Sequence, residues 1–142
     1  MRRSGGGPPR HSMALQSLHI AHRWPTLKRT GGACASEWRG ELQPSEVAPR
    51  YFVCLNYRMQ GIPTVRVERP KLKPGAPHLY PDGRLCLYYP PDRRWHSGYL
   101  LADTILPWTA SWLYFYELWL DTDEWLGPSA PHDPDSDERR GR

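Results

Sequence analysis

No stretch of this 142-residue sequence is built to cross a membrane. The most apolar part, residues 105–120, is broken by Pro107, Thr109, Ser111 and Glu117, well short of the ~18 uninterrupted apolar residues that a spanning helix needs. The first residues carry no apolar core either: Met1-Arg2-Arg3 runs into Gly5-Gly6-Gly7-Pro8-Pro9, which is no secretory signal. Cysteine is scarce, with Cys34, Cys54 and Cys86 spaced 20 and 32 residues apart. An odd count at such intervals excludes a disulfide framework and points to a reducing cytoplasm. It also offers no closely spaced ligand pair, so neither a metal nor another cofactor is expected. Apolar residues make up 39 %, below the usual ~45–50 %. Phenylalanine is nearly absent, with 2 residues, but 7 Trp and 8 Tyr restore much of the missing burial.

Sixteen prolines and twelve glycines predict a loop-rich fold. Charge is unevenly placed: residues 1–100 hold 16 Lys/Arg against 6 Asp/Glu, and residues 101–142 hold 3 against 9. A basic surplus is what nucleic acid attracts, yet no helix-turn-helix, zinc finger or aromatic RNP motif accompanies it. The surplus reads as a solvated face or a docking surface for an acidic protein. No nucleic-acid partner and no membrane are expected.

Residues 1–12 have nothing to bury and read as a disordered extension, with Met13 an alternative first residue. Residues 133–142 read as a disordered charged tail, leaving one folded domain over 13–132. Ser12 is placed to cap a helix with Leu15, Leu18, His19 and His22 on one face, ending before Trp24-Pro25. Three strand-like segments follow at 36–43, 50–60 and 64–69, joined by short turn-rich links as in an antiparallel meander. Residues 71–91 form a long loop with five prolines, and loops of that length are usually functional. A long helix is predicted over 103–119, with Asp103 as its cap. Its stripe of Trp108, Trp112, Phe115 or Tyr116, and Trp119 has the spacing of core packing.

The distinguishing run is His78-Leu79-Tyr80-Pro81-Asp82-Gly83-Arg84-Leu85-Cys86-Leu87. Cys86 leaves a Pro-Asp-Gly turn, where a thiol is approachable, and Arg84, Arg93 and Arg94 would favour its thiolate. The same Leu-Cys-Leu also suits a core strand, since cysteine behaves as a small hydrophobe. Cys54, mid-strand between Val53 and Leu55, reads as buried, and Cys34 as an incidental loop or strand-edge thiol.

This run resembles the active-site segment of ubiquitin-conjugating enzymes, in which His-Pro-Asn leads through a glycine-containing turn to Ile/Leu-Cys-Leu. Trp95, nine residues after the cysteine, agrees with that family. So does the order helix, meander, long loop, helix. The pattern Ile105-Leu106-Pro107-Trp108, then 112–120, then Glu124-Trp125-Leu126-Gly127 is similar to the stand-alone conjugating proteins of short type II CBASS antiphage operons. The resemblance implies an α+β, UBC-like fold. It further implies that Cys86 forms a thioester with a protein C-terminus, by family analogy that of a neighbouring cGAS/DncV-like nucleotidyltransferase. Transfer to a lysine of a target protein would follow. The Asn of His-Pro-Asn is missing here, which leaves Tyr80, His78 or a backbone N–H to supply the oxyanion donor. Asp92 and His132 are candidates for activating the lysine or supporting the loop. The alternative is a catalytically inactive UBC-like module that only binds a defence partner.

Overall fold

The computed structural model describes residues 10–87 and 95–128. The element order is helix α1 (Met13–Arg23), strands β1 (Lys28–Gly31), β2 (Ala35–Leu42), β3 (Tyr51–Arg58) and β4 (Thr64–Arg69), a 3-10 turn (Leu101–Asp103) and helix α2 (Ile105–Thr122). The strands form one antiparallel meander in sequence order. The architecture is the α+β arrangement that the sequence implied.

Alternation explains which face of the sheet packs. In β2 the residues Ser36, Trp38 and Leu42 are buried while Arg39 and Glu41 are exposed. Trp38 pairs with Leu55, Leu42 with Tyr51 and Ser36 with Tyr57, so the apolar rows of β2 and β3 share one face. That face forms a single core with Met13 and Ile20 of α1 and with Ile105, Leu106, Trp112, Leu113, Tyr116 and Trp119 of α2. The tryptophan stripe is therefore core, with Trp108 half-buried at its start. Cys54 points to the other face and is nonetheless buried.

The sequence placed three things differently. Strand β1 was not expected; all four of its residues are exposed, so it carries no alternation to read. Helix α1 is capped as predicted, with Ser12 Oγ accepting from the Leu15 amide at 3.1 Å. Its inward face, however, is Met13, Gln16 and Ile20, while Leu18 is 64 % exposed and His22 faces solvent. Gln16 takes an apolar position because both ends of its amide are partnered: Nε2 donates to Tyr99 O at 2.9 Å and Oε1 accepts from Leu101 N at 2.8 Å. Just before the helix, the His11 amide donates to Ser97 O at 2.9 Å.

The third difference is the start of α2. Asp103 does not cap it but closes the 3-10 turn and pairs with Arg23 of α1. Thr104 occupies the cap position without a side-chain cap bond, because its hydroxyl donates to Leu100 O (2.8 Å) and accepts from Trp95 Nε1 (3.0 Å). Pro107 falls in the first turn, where its missing N–H costs nothing. The helix ends at Thr122, with Asp123 in the left-handed region (φ 64°) and its amide on Trp119 O.

Candidate active site

The loop that holds the cysteine is a small hairpin. Tyr80 N donates to Arg84 O (2.9 Å), Cys86 N to His78 O (3.0 Å) and Gly83 N to Tyr80 O (2.9 Å), which closes a three-residue turn over Pro81-Asp82-Gly83. Proline presets the turn's first φ, and Gly83, at φ 93°, takes the positive-φ position that ends such a loop. The Asp82 carboxylate locks it further, accepting from Arg84 N at 3.1 Å and from Arg84 Nε at 3.0 and 2.8 Å. The backbone bond from Arg84 is the main reason the Asp82 carboxyl sits below its ordinary range.

The hairpin is stitched to the fold on two sides. Leu85 N donates to Val65 O of β4 at 2.9 Å. On the other side Trp112 Nε1 of α2 donates to His78 O at 2.9 Å, so one carbonyl serves both the cysteine amide and the long helix. His78 holds φ 56°, an uncommon value away from glycine, and its ring packs 5.0 Å from Trp125. Trp125 also lies 5.5 Å from Trp112, so the chain after α2 folds back over the helix onto the hairpin.

Pairing register decides what surrounds the thiol. Leu79 and Leu85 face each other and turn to the core, so Tyr80, Arg84 and Cys86 share the opposite face. Cys86 Sγ lies 3.5 Å from Tyr80 Oη, and the Arg84 guanidinium stacks 4.7 Å from the Tyr80 ring centroid. Cys86 is 8 % exposed, which corrects the expectation of an approachable thiol. Its acidity is corrected likewise: burial pushes the thiol above its ordinary value, and the opposing pull of Tyr80 and Arg84 does not overcome it. The hairpin that carries the cysteine is held against β4 through Leu85 N and against α2 through the His78 carbonyl, tertiary contacts that no reading of the local turn contains.

Of the residues singled out from sequence, Cys86, His78 and Tyr80 are brought together. Asp92 and His132, like Arg93 and Arg94, lie outside the described residues. Trp112 and Trp125 act on the site and were read only as core or as a family pattern; the signal that they face the hairpin is tertiary. Among the described residues no three His, Cys, Asp or Glu side chains come together as a metal site, and no helix is long and apolar enough to cross a membrane. A family model described as type II CBASS E2 protein matches residues 16–133, more than half of the chain. No curated protein matches the sequence.

Proposed function

From the premise that the chain belongs to the type II CBASS E2 family, with a role in CBASS defence, we propose that it is a cysteine acyltransferase whose nucleophile is Cys86. The observation that carries the reading is the Cys86–Tyr80 contact inside a hairpin pinned to both β4 and α2. The donor is a protein C-terminus, that of a cGAS/DncV-like nucleotidyltransferase, arriving already activated as a thioester. No adenylation-type glycine-rich loop occurs in the sequence to activate it.

Chemically the cycle has two steps. Cys86 thiolate attacks the activated carbonyl; its S–C bond forms, and the donor's thiolate departs with the electron pair of the bond it loses. A neutral lysine amine of a target protein then attacks the new thioester. Its C–N bond forms, the C–S bond breaks, the Cys86 thiolate is restored and the amine's proton passes to solvent. Tyr80 Oη is the donor that replaces the missing Asn side chain, and His78 acts through its backbone carbonyl, which holds the cysteine amide. Asp92 and His132 keep the proposed role of lowering the cost of a neutral lysine. A thiol of raised pKa also makes a slower leaving group, which protects the thioester from water until the amine arrives.

The burial of Cys86 favours one rival, a module that binds a defence partner without chemistry. Phage challenge of cells carrying the whole operon with Cys86→Ala separates the two. Loss of protection, with the variant protein present at wild-type level, supports the transferase. Full protection sinks it in favour of the binding module.

A further inference from the structure

We infer that Arg84 is a positioning residue for the cysteine chemistry, acting through Tyr80: its guanidinium, fixed by Asp82, holds the phenol ring so that the hydroxyl points at Cys86 Sγ. The inference rests on the reading of Cys86 as the nucleophile. It goes further by assigning a surface arginine a part in the reaction.

Three observations support it. The Arg84 side chain is 40 % exposed, and an arginine at such a position ordinarily samples many rotamers. Here Nε contacts both Asp82 oxygens, at 3.0 and 2.8 Å, and that carboxylate is itself anchored by the Arg84 amide and approached by Arg66 at 3.7 Å. The guanidinium plane is therefore set by its own turn. Second, Arg84 Cζ lies 4.7 Å from the Tyr80 centroid, within the ~6 Å reach of a cation–π contact. Third, cross-strand pairing places Arg84 directly opposite Tyr80 and Cys86 on the diagonal, so fixing the ring fixes the Oη–Sγ distance of 3.5 Å. With a neutral thiol the S–H donates to Oη. Once the thiol ionises the bond reverses and the phenol donates to sulfur, a donor that Arg84 keeps in place and, by drawing on the ring face, strengthens.

Among the described residues, Tyr80 contacts the Cys86 sulfur and Arg84 acts on its charge, both from the hairpin. His78 stands opposite with its ring turned to Trp125; from α2 the uncharged Trp112 reaches the His78 carbonyl; and from β4 Arg66 is engaged by Asp82.

The test is alkylation of Cys86 by iodoacetamide in the full chain across pH, read on the Cys86 peptide by mass spectrometry. Sulfur gains the carbon, iodide leaves and the thiol proton goes to buffer, so the rate follows the thiolate. Tyr80→Phe and the charge-keeping Arg84→Lys should each move the profile up by about half a pH unit, roughly a threefold fall in rate at neutral pH, and the double variant of these two should move it no further. Arg84→Lys keeps the charge but neither the fork nor the stack, whereas Arg84→Gln also loses the direct pull of the charge on the thiol and should move the profile at least as far. Additive shifts in the double variant, a wild-type profile for Arg84→Lys, or no shift for Arg84→Gln would each overturn the assignment, leaving Arg84 a plain surface charge. If Arg84→Gln does not fold, Arg84→Lys carries the test alone. An operon in which Cys86 never forms an acyl adduct would defeat the transferase reading and leave these profiles untouched, so the two failures are told apart.

Discussion

Trp112 and Cys86 share one acceptor: the indole Nε1 of Trp112 and the amide of Cys86 both donate to the carbonyl oxygen of His78, at 2.9 and 3.0 Å. The long helix thus holds the cysteine hairpin by a backbone atom, independent of what His78 does with its ring. Trp112→Phe keeps most of the packing and removes the donor. It should cost about 1–3 kcal/mol in chemical denaturation and loosen the Cys86 amide, read as faster hydrogen exchange at that residue. Unchanged exchange at Cys86 would mean that the Trp112 bond does not hold the hairpin.

Gln16 makes a second prediction. Replacing it with Leu leaves the buried Leu101 amide and the Tyr99 carbonyl without their partners. A loss of roughly 2–4 kcal/mol is expected in urea unfolding, far more than for an ordinary surface change. Ser12→Ala should cost about 1 kcal/mol by loss of the Leu15 cap.

Those two residues also show what the sequence carried. Ser12 was legible because a cap is a local device: the serine and the amide it accepts are three residues apart. Strands β2 to β4 were legible because burial imposes a period of two on them. Gln16 was not, since its polarity is cancelled by partners some 85 residues away. At the site the turn itself was readable from Pro81-Asp82-Gly83, and so was the cysteine. Its burial was not, because the hairpin is held by tertiary contacts to β4 and α2 that the local sequence does not contain.

Gly127 yields a third test. A Cβ there would lie 2.5 Å from the Phe115 ring, so Gly127→Ala should push residues 123–128 off α2 and release Trp125 from His78. The check is limited proteolysis, with faster cleavage after α2 in the variant than in the wild type, together with a measured loss of adduct formation. Cleavage at the wild-type rate would show that the Phe115 ring yields instead.

The pH dependence follows from the raised thiol. Burial disfavours the thiolate, so alkylation of Cys86 should be slow at neutral pH and climb only above the ordinary thiol value of about 8.5. The sign for stability is the same: a thiol whose folded value is raised contributes fully below its unfolded value. That contribution is lost as pH rises through the folded one. A Cys86 profile centred below 8 would contradict the burial.

The central claim is a thioester on Cys86. The most direct measurement is co-expression with the proposed donor, a cGAS/DncV-like nucleotidyltransferase, followed by non-reducing and reducing gels and intact-mass analysis of wild type, Cys86→Ser and Cys86→Ala. The account predicts a heavier, reductant-sensitive species in the wild type that maps to Cys86. It also predicts a reductant-resistant oxyester with Cys86→Ser and neither with Cys86→Ala. The same band in Cys86→Ala, or no acyl adduct in any variant, would contradict it.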